Sequence, residues 1–345
     1  MPWIPKKSRS TGKVYFYNTE TKKTSWTKPK EERKPFLVRE KAAGEREVVA
    51  DAYSNMTQNA KVVSRKRTKK IRTYNNVIKR EAIRFCIGGC MVKKKVLDLC
   101  CGRGGDLGKI LSHPTVRRYR GVDISDEAVV EAIHRAEQYN QYAAVVDFEC
   151  MDAVKEDWTS FSPIERGLNI TKYLYDTRML NEPYNASKHT FSFINCQYAF
   201  HYFCKTKELA KQMLTKIHDS MSMGPSCICL TIPNGQRIQD AINGNYKLPT
   251  YCKITPSETW KGKGEFGDPY KFYLEDCVPG VEEYLVPKDT LIELASSCGL
   301  KNTFYQNAGL FLETRDECNV NIEKNLDWNV TCLYDIYVFA KKSSS

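Results

Sequence analysis

The chain has 345 residues, 41% hydrophobic and 27% charged, with 14 cysteines and a net charge of +12, a globular composition with room for one large α/β domain and a small module. No apolar run approaches the roughly 18 residues of a membrane span, residues 1–10 do not read as a signal peptide, and the absence of any CxxC pair argues for reduced thiols and against a zinc site. The charge is uneven: residues 1–80 hold 22 Lys and Arg against 7 Asp and Glu, whereas residues 81–345 hold 31 against 34, so a basic N-terminal quarter attracts polyphosphate or nucleic acid.

Residues 1–30 read as a module of their own. Trp3 and Trp26 bracket a Gly12-Lys13 turn and the aromatic triplet Tyr15-Phe16-Tyr17. This pattern of aromatic and β-branched residues between turn-forming stretches predicts three short antiparallel strands. The segment resembles a WW domain over its whole length, with Asn18, Thr21, Thr24, Trp26 and Pro29 at that family's spacing and Thr19 in place of its usual histidine. So small a module has little core, and the resemblance implies a structural clasp of Trp3, Phe16 or Tyr17, Asn18 and Pro29. It also implies that Tyr15 and Trp26 grip a proline between their rings. Lys7-Ser8-Arg9-Ser10 resembles the phosphate-binding loop in the WW domain of the phosphoserine/threonine-proline-directed prolyl isomerase. Ser8 and Arg9 would then hold a phosphate, and the expected ligand is a phosphorylated Ser/Thr-Pro peptide such as the repeats of the RNA polymerase II tail.

Residues 31–47 are charged, lack an apolar period and read as a linker. The run 64–70 (SRKRTKK) reads as a solvated face, a nuclear-import patch or an RNA contact. From residue 48 the pattern is helix, helix, then alternating strands and helices. Strands are predicted at 95–100, 118–123, 147–151, 191–196 and 227–232, with helices between them at 127–139 and 206–221. This alternation predicts a doubly wound, mostly parallel sheet, whose ligands bind beyond the carboxyl ends of the strands.

The sharpest feature lies at 96–107 (VLDLCCGRGGDL), a buried strand breaking into a glycine-rich loop, with Asp123 ending the next strand. Backbone approaches a ligand closely where no Cβ intervenes, at Gly102, Gly104 and Gly105. An acid beyond such a loop is placed to bind ribose hydroxyls. The loop is not the GxGxxG of dinucleotide enzymes and resembles the first motif of S-adenosylmethionine-dependent methyltransferases, a Rossmann-like class I fold. Asp98, the 101–106 loop, Asp123, Asp152 and Gln197-Tyr198 all fall at predicted strand ends on one sheet edge.

Residues 48–342 resemble one family, the eukaryotic mRNA cap guanine-N7 methyltransferases. The motifs are NNxxK at 75–79, DLxCGxGGDL in the loop, QYxxHY at 197–202, TIPN at 231–234, FGxxYxF at 266–272, EEYLV at 282–286 and a terminal strand at 333–340. The resemblance implies S-adenosylmethionine as cofactor, with no metal. By position, Lys79, Asp98, Cys100, Gly102, Asp123, Asp152, Gln197 and Tyr202 would bind it. Lys79 would meet its carboxylate, Asp123 its ribose and Asp152 its adenine, and Gln197 and Tyr202 would close over it. For the cap, Asn75 and Asn76 would lie beside the nucleotide, and Arg103, Lys109 and Arg135 would hold the triphosphate. Tyr198, His201, Phe272, Glu283 and Tyr334 would form the guanine pocket. Cys100 stands where the family usually has glycine, and Arg103 where it more often has lysine, which keeps the charge and adds a bidentate fork.

Guanine N7 carries a free in-plane lone pair, so its methylation needs no general base, and no Asp-His or Cys-His pair offers one. Orientation by His201, Tyr202 and Glu283 is expected to carry the rate. The combined expectation is a nuclear, monomeric enzyme acting on the capped 5′ end of mRNA, with other capping enzymes as candidate partners. A WW module would raise its local concentration at the phosphorylated polymerase tail. Two other readings use the same motifs: an inactive adaptor that binds caps, and a methyltransferase of another guanine-containing substrate.

Overall fold

The computed structural model describes residues 3–7, 14–18, 22–25, 45–59, 67–88, 92–139, 142, 144–159, 190–315 and 320–342. Met1–Lys41 and Ala42–Ser345 are two separate units, the division falling within the segment read as a linker. In the first, β1 (Trp3–Lys7), β2 (Val14–Asn18) and β3 (Thr24–Ser25) form an antiparallel sheet in that order. Trp3 pairs with Asn18 and Lys7 with Val14, and the Lys6 ammonium lies 4.1 Å from the centre of the Tyr17 ring. Ser8, Arg9, Trp26 and the side chain of Tyr15 lie outside the described residues.

The second unit opens with α1 (Glu45–Asn59) and α2 (Lys69–Ile87). Ile71, Tyr74, Ile78 and Ala82 are buried at helical spacing along one stripe of α2, so that face packs inward. The strands β4 (Lys94–Leu99), β5 (Val116–Asp123), β6 (Val145–Cys150), β7 (Phe193–Gln197) and β8 (Cys227–Pro233) follow. Between them lie α3 (Leu107–Leu111), α4 (Asp126–Ala136) and α5 (Lys207–Ser220). Every residue of β7 is buried, as a central parallel strand covered on both faces requires. Helix α4 starts where Ser125 accepts from the Ala128 N–H, with Asp126 and Glu127 in the first turn and His134 and Arg135 in the last, each sign matching the helix dipole.

After α6 (Gly235–Ile242) come β9 (Cys252–Pro256), β10 (Pro269–Leu274) and β11 (Val278–Tyr284), then α7 (Lys288–Ser297). The chain closes with β12 (Leu300–Asn307), α8 (Ala308–Glu313), α9 (Leu326–Cys332) and β13 (Tyr334–Lys341). Among the described residues, seven strands form one sheet in the order β12-β13-β8-β7-β4-β5-β6. Strands β4 to β8 are mutually parallel, and β13 runs antiparallel between β8 and β12. Strand order reverses at β4, with β5 on one side and β7 on the other. That is the crevice where a doubly wound sheet holds a ligand.

The predicted strands shift at their ends by at most two residues, and the helix expected to run to 139 ends at Ala136, its last three residues forming a 3-10 turn. The larger difference is the antiparallel trio β11-β10-β9, a second sheet inserted after β8 that the strand-helix alternation does not announce. Among the described residues no helix is long and apolar enough to cross a membrane.

Candidate active site

The glycine loop leaves β4 through a left-handed residue that is not glycine. Cys100 has φ +59°, followed by Gly102 at +50° and Gly104 at +66°. The mirror position on the neighbouring central strand, Tyr198 just beyond β7, has φ +60°. Left-handed backbone at a Cβ-bearing residue costs about 1–2 kcal/mol, and two such residues flank the switch point. A Cβ added at Gly102 would meet nothing within 4 Å, whereas one at Gly104 would lie 3.1 Å from Ala132 Cβ. Gly104 therefore seats α4 against the loop, and Gly102 faces open space.

Asp123 clasps this loop. Its Oδ2 accepts from the Gly102 N–H at 2.7 Å and its Oδ1 from the Ser125 N–H at 2.9 Å. Burial pushes the carboxyl up, while those backbone donors hold it down. A carboxylate offers about four acceptor sites, so with the Ile124 N–H also directed at it at least one remains.

At the far end of the loop, Asp106 Oδ1 holds both Lys79 at 2.8 Å and Lys109 at 2.9 Å. Burial works to raise the Asp106 carboxyl, but the two ammonium groups outweigh it and hold it below the usual carboxylate range. Burial lowers the Lys109 ammonium against the pull of Asp106. Lys79 Nζ and Arg135 Nη1 lie 3.8 and 4.0 Å from where a Cβ on Gly105 would stand. Three cations from α2, α3 and α4 thus converge on the loop, two of them on the Asp106 carboxylate.

Two residues expected at the cofactor are engaged within the sheet. Asp98 is 3% exposed; Tyr119 Oη donates to its Oδ2 at 2.6 Å and Asn195 Nδ2 to its Oδ1 at 2.8 Å. Gln197 does not turn its amide over the edge: its Nε2 donates to Asn195 Oδ1 at 2.9 Å, and its Oε1 accepts from Thr231 Oγ1 at 2.6 Å. The result is a buried polar rung across β5, β4, β7 and β8. The physical reason is satisfaction: polar groups within a covered sheet must find partners there. Asp152, just past β6, is buried and accepts from the Val154 N–H at 3.0 Å.

Above the other side of the edge stands Glu283 on β11, 2% exposed. Tyr202 Oη donates to its Oε1 at 3.0 Å and Tyr270 Oη, from β10, to its Oε2 at 3.0 Å. His201 Nε2 lies 3.4 Å from Oε2. Tyr198 and Tyr334 meet edge to face with centroids 4.6 Å apart, and Phe272 lies 6.3 Å beyond Tyr334. Burial followed by the Glu283 charge drives the phenols of Tyr202, Tyr270 and Tyr334 well up. Asn75 Oδ1, Tyr198 Oη and His201 Nδ1 are buried with no hydrogen-bond partner among the described residues. Unpaired buried polar atoms are rare enough in proteins to need a reason, and these three belong to residues expected at the cap. Asn76 is exposed on α2, and Arg103 is half-buried in the loop.

A family model of the mRNA (guanine-N(7))-methyltransferase domain matches residues 37–331, and one of the WW domain matches residues 2–29. The chain belongs to the mRNA (guanine-N(7))-methyltransferase family. Among similar members is the mRNA cap guanine-N(7) methyltransferase of Debaryomyces hansenii, 29% identical over 291 residues, which cover 75% of this chain and 53% of that protein. The protein of the same description from Saccharomyces cerevisiae is 26% identical over 246 residues, 67% of this chain and 51% of that one. The chain spans about half the length of the curated relatives it matches. A solved magnesium protoporphyrin IX methyltransferase from Synechocystis, with bound SAH, superposes with a TM-score of 0.50 at 11% identity, over 86% of this chain and all of that one. That likeness is one of fold, a class I methyltransferase sheet.

Of the residues singled out from sequence, Cys100 and Gly102 lie in the loop, Lys79 on α2 and Asp123 at the end of β5 contact it, and Tyr198, Tyr202, Glu283 and Tyr334 belong to the aromatic cluster. Sequence reasoning did not assign Asp106, Asn195, Tyr270 or Tyr53. Asp106 and Tyr270 lie inside motifs already noted, GGDL and FGxxYxF. Tyr53, on α1, belongs to none of them; its Oη lies 2.9 Å from that of Tyr202, a contact between residues 149 apart in sequence. Among the described residues no cluster of His, Cys, Asp or Glu suits a metal ion.

Proposed function

We propose that this chain transfers a methyl group from S-adenosylmethionine to N7 of the 5′-terminal guanosine of capped mRNA, converting GpppN to m7GpppN. The observation that carries this reading is the buried carboxylate of Glu283 in an aromatic cage, beside a glycine loop ringed by cations. When bound, S-adenosylmethionine supplies an electrophilic methyl on a sulfonium. The residues fit it: left-handed Gly102 faces open space, Lys79 offers a cation for a carboxylate, and Asp123 retains an acceptor site for a ribose hydroxyl. Asp152, buried past β6, is the group for the adenine.

Asn75, Asn76, Arg103, Lys109 and Arg135 are the residues for the cap's nucleotide and triphosphate. Phosphate oxygens reaching Lys109 would compete with Asp106 for its ammonium, so the pair fixes where that cation waits. Tyr198, Phe272 and Tyr334 supply π-faces to a guanine ring that gains positive charge, which aromatic faces favour. Glu283 accepts from the guanine N1–H and exocyclic amine and stabilises that growing charge more in the transition state than before it. No side chain has to remove a proton, because N7 presents its lone pair directly. Positioning alone supplies roughly 7–11 kcal/mol when reacting groups are held in near-attack geometry.

The WW module is proposed to recruit the enzyme to phosphorylated Ser/Thr-Pro repeats, and its place of action is the nucleus. The deciding experiment is methyl transfer from labelled S-adenosylmethionine to GpppA- and GpppG-capped RNA, with nuclease digestion to locate the label. Label in m7Gppp supports the reading. Label elsewhere on the RNA removes the guanine pocket, and binding of cofactor and cap without transfer makes the chain an adaptor.

A further inference from the structure

Among the described residues Glu283 has no Lys or Arg partner; two hydroxyls and one imidazole surround it. A carboxylate only accepts hydrogen bonds, so the Tyr202 and Tyr270 hydroxyls must each point their single proton at it. Tyr202 has then no proton left for Tyr53. The 2.9 Å contact between the Tyr53 and Tyr202 hydroxyls therefore runs from Tyr53 to Tyr202. The proton order is forced: Tyr53 to Tyr202 to Glu283 on one side, Tyr270 to Glu283 on the other. The backbone fixes the second of these contacts, because Tyr270 and Glu283 are directly opposite each other in the β10–β11 pair. Tyr53 arrives from α1, its ring 6.3 Å from that of Tyr202 in an edge-to-face contact at 85°. The neighbouring Ser54 hydroxyl, 2.8 Å from that of Ser125, anchors the same turn of α1.

We infer that Tyr53 and Tyr270 are positioning residues that fix the plane of the Glu283 carboxylate and so set discrimination for a purine carrying a 2-amino group. This rests on the proposed reading of the guanine edge by Glu283. Each carboxylate oxygen spends one acceptor site on a phenol, one on Tyr202 and one on Tyr270. One further site per oxygen remains, the number that two adjacent donors on one edge of the base require, with His201 Nε2 3.4 Å from Oε2. A donor chain that starts on α1 also ties the N-terminal helix to the accuracy of base reading. Hydrogen bonds to a charged group respond steeply to lost geometry, so a hydroxyl that touches no substrate still acts on specificity.

The test uses the full chain carrying Tyr53→Phe or Tyr270→Phe, which keep the rings and remove only the hydroxyls. Methyl transfer is measured on guanosine-capped RNA and on inosine-capped RNA, whose base lacks the exocyclic amine, with Glu283→Gln alongside. The expected result is a guanosine-to-inosine ratio of kcat/KM that falls about fivefold for Tyr53→Phe and about tenfold for Tyr270→Phe, in keeping with one lost hydrogen bond in a charged network. Affinity for S-adenosylhomocysteine, read by calorimetry, stays within twofold. An equal fall on both substrates assigns the tyrosines a packing role and overturns the inference. So does an unchanged ratio in both tyrosine variants while Glu283→Gln loses discrimination. An unchanged ratio in Glu283→Gln itself discards the guanine-edge reading, and this inference with it.

Discussion

Asn195 Nδ2 donates to Asp98 Oδ1 at 2.8 Å between β7 and β4, the pair of strands at which the sheet reverses its order. The bond joins the two strands whose ends carry Cys100 and Tyr198, the left-handed residues on either side of the crevice. Asn195 in turn accepts from Gln197, and Gln197 from Thr231. The crevice is thus braced from beneath by side chains that do not enter it.

Burial, followed by repulsion from Asp106, pushes the Asp98 carboxyl up to about 7, against the hydrogen bonds from Tyr119 and Asn195. A carboxyl with a raised folded value binds its proton more tightly when folded, so its contribution to stability falls as pH rises from about 4 to about 7 and is level above that. Asp98→Asn has no such titration. Its stability relative to the parent chain is therefore expected to rise across that window and flatten beyond it. Denaturant midpoints at several pH values from 4 to 8 check this, and a difference constant over the range contradicts it.

Gly102 and Gly104 share left-handed backbone but not surroundings. Gly102→Ala is expected to cost about 1 kcal/mol, the conformational term alone. Gly104→Ala adds an overlap with Ala132 on α4 and should cost about 2–3 kcal/mol. Urea unfolding of the two variants measures the gap, and equal losses would remove the packing role given to Gly104.

Glu283→Ala is expected to lower kcat/KM on capped RNA on the order of 100-fold, the usual scale for losing one preorganised electrostatic partner of a transition state. Cofactor affinity should change less than twofold. Steady-state kinetics with calorimetry of S-adenosylhomocysteine separates the two, and unchanged turnover takes Glu283 out of the guanine site.

The WW module gives a prediction independent of the catalytic unit. Phosphorylated Ser-Pro peptides are expected to bind at least tenfold tighter than plain ones, and Arg9→Ala to erase that preference, since a charge-assisted hydrogen bond is worth about 1.5–3 kcal/mol. Fluorescence anisotropy with both peptides measures it. Equal affinities in the parent chain would falsify phosphate recognition while leaving proline binding intact. Deleting residues 1–30 should leave methylation of free capped RNA nearly unchanged.

Short-range pattern made much of the architecture legible. The buried run into VLDLCCGRGGDL, the acid ending RYRGVD and the alternation of strand and helix foretell a parallel sheet with a loop at its edge. Its central five strands lie within two residues of where periodicity puts them at either end. The inserted sheet β9-β10-β11 was not foretold, because antiparallel pairing over β10–β11 and β9–β10 depends on which segments meet. Asp98 and Gln197 were read by position along the chain as ligand-facing. Their side chains turn into the sheet because Tyr119, Asn195 and Thr231 are there to satisfy them.

The sequence by itself determined where the backbone could bend and approach a ligand: glycine at 102 and 104, strand ends at 123 and 197, cations at 79, 109 and 135. These are consequences of side-chain size, charge and period, which act over a few residues. Only the tertiary structure decided the state of those groups. Asp106 is ionised because α2 and α3 bring two lysines to one oxygen. Glu283 is held because Tyr202 and Tyr270 donate their hydroxyls to one buried carboxylate, with Tyr53 from α1 reaching Tyr202 in turn. Burial strengthens the pull of the lysines on Asp106 even as it opposes the ionised carboxyl, and burial is a property of the folded whole.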